Sequence, residues 1–263
     1  MKNEATVRRT VVVGAGSGIG AATATRFHER GDHVLAVDLR PGDTPAARHA
    51  QCDLRDASAI ADLLETIDTG WDTLAYVAGV PGTAPAGDVL RVNYLAMRML
   101  SEGMLPRLRH GGSIVIVAST AALGWQLRMA DLTGLLEATD AAAVDAWQAG
   151  QDPAYPVYST SKQAAIIYSK RLAGPAWQKF GVRVNTVSPG PTRTPILVDF
   201  ETSMGKDMLD SVEATVGRHG TVEDVVPVIE FLSSPAAGWV NGQDIHVDGG
   251  FIMPLSAGAP IQL

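Results

Sequence analysis

The sequence is poorest in cysteine: Cys52 is the only one among 263 residues. No intrachain disulfide can form, and a single thiol fits a reducing compartment. No matched base stands near it in sequence, so Cys52 reads as a small buried hydrophobe rather than a nucleophile. Long apolar runs are also missing, and no segment is long enough to span a bilayer. The opening Met1–Thr6 lacks the apolar core of a signal peptide, so a soluble cytoplasmic protein is expected. Positive charge is in deficit, with 21 Lys and Arg against 28 Asp and Glu and a net charge of −7. That argues against nucleic acid, whose phosphates need a basic face. No long run of like charge suggests an interaction tail. The histidines, His28, His33, His49, His110, His219 and His246, show no metal-ligand spacing with cysteine or acids, so no catalytic metal is expected.

What the chain does have is apolar residues, 46% of it, enough for one core. Thr10–Val13, His33–Asp38, Thr73–Ala78, Ser113–Ala118, Val182–Val187 and Asp244–Val247 read as short buried strands. Helical patterns lie between them, over about 18–29, 59–67, 89–108, 158–180 and 223–232. Continuous rather than alternating apolar strands, each followed by a helix, predict an α/β domain: a doubly wound parallel sheet covered on both faces. There is no repeat or linker, so residues 1–263 are expected to form one domain. Ligands of such sheets bind beyond the carboxyl ends of the strands, where strand order reverses.

The chemistry-bearing residues fall at those ends. Gly14-Ala15-Gly16-Ser17-Gly18-Ile19-Gly20 joins the first strand to the first helix. Glycines there permit a tight turn and close backbone approach, and the helix N-terminus offers free N–H groups to a pyrophosphate. A glycine string also simply makes turns, but this context favours a dinucleotide. Asp38 ends the second strand about twenty residues on, where a carboxylate accepts from an adenosine ribose and repels a 2′-phosphate. Arg40 complicates this, since an arginine can pair with that phosphate; the carboxylate favours NAD over NADP. Asp53 could meet the adenine, cap the helix before Ala57, or both. Tyr158 and Lys162 stand four apart, on one face of a helix. That spacing places a phenol beside an ammonium, as chemistry or as an ordinary surface pair.

Together with Asn93 and Ser119, these motifs resemble the classical short-chain dehydrogenase/reductases over essentially the whole chain. Pro189-Gly190, Thr194 and the closing Asp248-Gly249-Gly250 extend the match. Val13 stands where the family often has threonine. Tyr76-Val77-Ala78-Gly79 replaces its Asn-Asn-Ala-Gly, losing an asparagine that ties strands together. Ser119 and Tyr158, usually separated by about a dozen residues, are much further apart here. The extra stretch, about 123–156, resembles that of the bacterial 3α-hydroxysteroid dehydrogenase/carbonyl reductase subgroup; its piece Ala141–Trp147 looks helical.

The resemblance implies an NAD-dependent oxidoreductase interconverting an alcohol and its carbonyl. Tyr158 would transfer the proton. Lys162 would lower its pKa from the usual value of about 10 and hold the nicotinamide ribose. Ser119 would hold the substrate oxygen, although Thr120 beside it could be mistaken for it and a turn hydroxyl is the bland reading. Asn93, placed within a long helix, would anchor a water chain to the lysine, or be a buried structural asparagine. Gly14, Ser17, Gly18, Ile19, Gly20, Asp38, Asp53, Leu54, Ala78, Gly79, Tyr158, Lys162, Pro189, Gly190, Thr192 and Thr194 would bind the cofactor. An apolar lid over about 195–215, with Ile196, Leu197, Phe200, Met204, Met208 and Leu209, suits a hydrophobic steroid, terpene or aromatic alcohol or ketone, unless it only packs on the core or on a partner. Arg193 on that loop could bind an acid. The alternatives are an NADP-dependent acyl-carrier or small-ketone reductase, and a silent NAD-binding regulatory protein. A homodimer or homotetramer is expected. The extra stretch would cover the two long helices through which the family commonly pairs, and the tail 251–263 would lie on a neighbour or the pocket rim.

Overall fold

The computed structural model describes residues 7–40, 42–204 and 206–258, the side chains of 200, 201, 203, 204, 206, 208 and 255 excepted. Of the expected lid, the side chains of Phe200, Met204 and Met208 lie outside the described residues, as does the end of the tail. Seven strands form one sheet: β1 (Arg9–Val13), β2 (His33–Asp38), β3 (Arg48–Gln51), β4 (Trp71–Tyr76), β5 (Leu108–Val117), β6 (Arg183–Pro189) and β7 (Asp244–Val247). All pairs are parallel, in the order β3-β2-β1-β4-β5-β6-β7. The chain thus winds outward one way from β1 and the other way from β4, and strand order reverses between these two.

Helices α1 (Gly18–Glu29), α2 (Ala57–Glu65), α3 (Ala86–Leu90) and α4 (Met97–Met104) fall in the first half. They are followed by α5 (Thr133–Glu137), α6 (Ala141–Ala149), α7 (Val157–Phe180), α8 (Leu197–Met204), α9 (Lys206–Val216), α10 (Val222–Ser233) and α11 (Ile252–Ala257). Successive strand residues point to opposite faces, so each strand feeds two cores. Val12, Val34 and Val115 pack with Phe27 of α1 and Ile229 of α10. Val11, Val13, Leu35 and Leu74 pack on the other face with Ile60 of α2, Met97 of α4 and Ile167 of α7.

Three local expectations change. The helix expected over 89–108 is broken: α3 passes into a π-helical turn, Arg91–Ala96, before α4, and Leu108 already opens β5. Pro106 lacks an N–H and ends the last turn. β3 is an edge strand with mostly exposed residues, so it carries no apolar run to betray it. Where the asparagine is missing, Tyr76 ties the end of β4 to the π-turn instead of to another strand: its buried hydroxyl donates to the Val92 carbonyl at 2.6 Å.

The stretch between Ser119 and Tyr158 packs as two helices. Leu132, Leu135 and Val144 are fully buried in the α4–α7 core. Arg98 of α4 donates to the Leu136 and Ala138 carbonyls at 3.0 and 2.8 Å, capping the end of α5. The Tyr94 hydroxyl also donates to Leu136. Asp140 caps α6 by accepting from the Ala143 N–H at 2.8 Å. This segment packs on α3, the π-turn and α7, and meets α4 through Arg98.

Candidate active site

A cleft of ≈ 590 Å³ opens at the carboxyl ends of the strands, across the reversal between β1 and β4. Its middle is the glycine loop. Gly14 has φ +86°, and a Cβ there would lie 2.5 Å from the Ala78 backbone; one on Gly20 would lie 1.8 Å from the Gly14 carbonyl oxygen. These two glycines are required by the packing of β1, α1 and the β4 end on one another. Ser17 precedes α1 in extended conformation and makes no side-chain cap. The first-turn N–H groups of Gly18, Ile19 and Gly20 therefore have no cap from their own helix, on the wall of the cleft.

Toward the β3 edge, the cleft is lined by Asp38, Leu39, Asp53 and Leu54. Asp38 accepts from the Gly16 N–H at 2.8 Å and the Arg40 N–H at 3.2 Å, so backbone holds its carboxylate in place. Asp53 does not cap α2. That is done by Asp56, which accepts from the Ser58 N–H at 2.8 Å. Asp53 instead grips Arg55, at 2.6 and 2.9 Å, and this guanidinium holds its carboxyl below the usual carboxylate range.

Toward β5 and β6, Ser119 lies two residues beyond the end of β5. It accepts from the Ala121 N–H at 3.1 Å and hydrogen-bonds the Tyr158 hydroxyl. It is thus both a turn hydroxyl and a partner of the phenol. Thr120 instead donates to the Pro189 carbonyl at 3.2 Å. Tyr158 and Lys162 share the first turns of α7, with Nζ 5.7 Å from the phenol ring centre. Nζ donates to the Val117 carbonyl at 2.9 Å. The expected lowering of the Tyr158 pKa is not met: burial pushes it up to about 12, with only the Ser119 bond opposing. The same burial pulls Lys162 down to about 8. For both groups the loss of water is the leading cause.

Pro189, Gly190, Thr192 and Thr194 complete that end, with Thr192 donating to the Gly190 carbonyl and Thr194 to that of Thr192. Every expected catalytic and cofactor-binding residue lines this cleft except Asn93; Arg193, Leu197 and Leu209, expected at the substrate end, do not. The π-turn sets Asn93 just behind the wall, where its carboxamide accepts from the Val80 N–H at 2.8 Å. It also donates to the Val80 carbonyl and to Ser161 at 3.0 and 3.1 Å. A Cβ on Gly79 would lie 3.3 Å from Lys162 Nζ and 3.4 Å from Asn93 Oδ1, so that glycine keeps a small space between them. Sequence reasoning missed Arg55 and Asp88, which also line the cleft. Their only signal was alternating charge at positions far apart in the chain.

An extended cleft over a strand reversal, a helix start without a side-chain cap at its centre, and a Ser–Tyr–Lys group at one end fit a nicotinamide dinucleotide and define an oxidoreductase acting on CH–OH. Two family models match the chain, one described as short chain dehydrogenase over residues 8–130 and one as Enoyl-(Acyl carrier protein) reductase over 137–252. The chain belongs to the short-chain dehydrogenase/reductase family. It is 34% identical to a coniferyl-alcohol dehydrogenase of Pseudomonas sp., over 93% of this chain and 96% of that one. It is 33% identical to a 3-alpha-hydroxysteroid dehydrogenase/carbonyl reductase of Comamonas testosteroni, over 91% and 95%. The 3-alpha-hydroxysteroid dehydrogenase from Pseudomonas sp. B-0831, solved with NADH, superposes with a TM-score of 0.77 at 30% identity, over 96% of this chain and 100% of that one. No described helix is long and apolar enough to cross a membrane.

Proposed function

We propose that this chain is an NAD-dependent dehydrogenase/carbonyl reductase for a hydrophobic alcohol of the steroid, terpene or aromatic kind. The observation that carries the reading is the Ser119–Tyr158–Lys162 group on the wall of a cleft whose far end presents the fixed carboxylate of Asp38. That carboxylate supports NAD, because a 2′-phosphate beside it would be repelled. Arg40 lines a small adjoining pocket with Asp38 and Thr44.

The glycine-loop N–H groups would hold the pyrophosphate, Asp38 the adenosine ribose, and Lys162 with Thr192 and Thr194 the nicotinamide half. The bound nicotinamide supplies hydride exchange with the carbinol carbon and, when oxidised, a positive charge that favours the Tyr158 phenolate. Ser119 holds the substrate oxygen against the Tyr158 hydroxyl. At neutral pH Tyr158 is protonated, the state that donates to a carbonyl oxygen; alcohol oxidation runs this proton in reverse. Lys162 stays charged below about pH 8 and steadies the phenolate. Asn93 keeps the Gly79–Val80 backbone beside Lys162 in place.

The substrate end is apolar, with Val80, Ala84, Pro85, Pro195 and Ile196 on its walls. Asp199 of α8 accepts from Thr83 on the opposite side at 3.2 Å, which supports α8 as a lid. The names of the relatives, a coniferyl alcohol and a hydroxysteroid dehydrogenase, agree with a hydrophobic substrate. Because the segment with α5 and α6 packs on the π-turn and α7, the dimer or tetramer would pair through another face; a monomer by light scattering would reject it.

Nicotinamide reduction with NAD and with NADP, across steroid, monoterpene and aromatic alcohols, tests the reading. Wild type should prefer NAD. Tyr158→Phe should lose about 10²–10⁴ in turnover while NAD still binds. Equal activity in the variant, or preference for NADP, refutes the corresponding part.

A further inference from the structure

The cleft has a wall that the chemistry above does not use. Five charged side chains of alternating sign run from the segment between β5 and α7 to the β3 end of the cleft. Asp145 of α6 pairs with Arg91 of the π-turn. Arg91 also faces Asp88 of α3 at 3.5 Å, Asp88 faces Arg55 at 3.7 Å, and Arg55 holds Asp53 at 2.6 Å. Asp88, Arg55 and Asp53 all line the cleft. Gly87 makes the approach of α6 possible, since a Cβ there would lie 3.3 Å from Asp145 Oδ1 and 3.7 Å from Arg91 Cζ.

The position of this wall fixes which half of a dinucleotide it meets. Strand β3 is four strands from β5, or about 19 Å at ordinary inter-strand spacing. With the Ser–Tyr–Lys group at the β5 end, the adenine half falls at the β3 end. We propose that Arg55, fixed between Asp53 and Asp88, binds the adenine half of the cofactor, and that Asp145 is a positioning residue that braces this clamp from α6 through Arg91. The inference rests on the dinucleotide reading above.

The ladder gives each member a distinct part. Arg55 is tethered at Nε and Nη2 by one acid and at Nη1 by another, so its planar guanidinium is set before the ligand arrives. Asp88 is shared between two arginines. If Asp145 loses its charge, Arg91 turns wholly to Asp88 and weakens the hold of Asp88 on Arg55. The segment that distinguishes this chain from shorter relatives thereby touches cofactor affinity without touching the cofactor.

Binding of ADP-ribose, which carries the adenosine and lacks only the nicotinamide, and of nicotinamide mononucleotide, which lacks the adenosine, separates this role from general damage. Both are measured by calorimetry on the full chain, with circular dichroism confirming the fold. Arg55→Ala should weaken ADP-ribose about tenfold, the size of one ring or charge contact, and leave the mononucleotide unchanged. Asp145→Asn should weaken ADP-ribose about two- to threefold, as for a half-exposed ion pair. Asp145→Glu should restore it, and Asp145→Asn should add nothing in the Arg55→Ala background. Unchanged ADP-ribose binding in Arg55→Ala, or equal loss for both ligands, overturns the clamp. Additive losses in the double variant overturn the brace. A wild-type chain that binds neither half overturns the cofactor reading itself.

Discussion

Replacing Lys162 with methionine should make the fold more tolerant of neutral pH while removing activity. Lys162 is 4% exposed, and burial moves its pKa from 10.5 to about 8. A lysine whose folded pKa is depressed penalises the native state wherever both states are charged, which is below about pH 8. Between pH 8 and 10.5 the folded chain has released the proton and the unfolded chain has not, so stability rises with pH. A shift of this size is worth about 3 kcal/mol. Methionine has similar length and no charge, so it escapes the penalty. It also leaves the Val117 carbonyl without its donor, at a cost of about 1–3 kcal/mol. The two effects nearly offset at pH 6–7, leaving the variant equal to or more stable than wild type. At pH 10 only the loss remains. The telling quantity is the change in the stability difference between pH 6 and pH 10, about 2–3 kcal/mol, because the Val117 contribution cancels in it. Urea unfolding of both proteins at each pH measures it, with turnover assayed in parallel. A difference that does not vary with pH would refute a buried charged lysine, whatever the activity.

Asn93→Ala should cost about 1–2 kcal/mol, because it leaves the half-buried Val80 N–H and carbonyl without their side-chain partner. A urea midpoint shift at unchanged slope measures it, and no shift would mean that the carboxamide carries no structure. Gly20→Ala should fail to fold or lose more than about 4 kcal/mol, since its Cβ falls 1.8 Å from a backbone oxygen. Gly31→Ala is the control: it has positive φ but open space, so it should lose only about 1 kcal/mol. Similar losses in the two glycine variants would refute the clash at Gly20, which has no positive φ to strain.

The sheet was legible where burial was complete. Thr10–Val13 and Ile114–Val117 announce themselves because covered strands are nearly continuous apolar runs. Arg48–Gln51 did not, because an edge strand with exposed side chains needs only backbone partners. The same divide runs through the site. Gly14, Asp38, Ser119, Tyr158 and Lys162 lie at strand ends or helix starts, where local pattern fixes position. Arg55 and Asp88 meet across 33 positions of chain and have no local signature. The direction of the Tyr158 shift was misjudged for a related reason: spacing on a helix reports that two groups are near, but not how much water both have lost.

The places where local rules fail converge on one spot. A π-turn replaces α-helix at Asn93, a lysine is buried without an acid partner, and a glycine at position 79 separates them. Each weakens the fold on its own, and together they set an ammonium and a carboxamide around Gly79. The wider turn is what permits this geometry. With six residues at π-helical pitch, Asn93 faces the Gly79–Val80 backbone while Val92 offers its carbonyl to Tyr76. In regular α-helix one of these two contacts would rotate away. By holding the π-turn from beneath, Tyr76 fixes where Asn93 points and, through Asn93, the backbone of Val80 on the cleft wall.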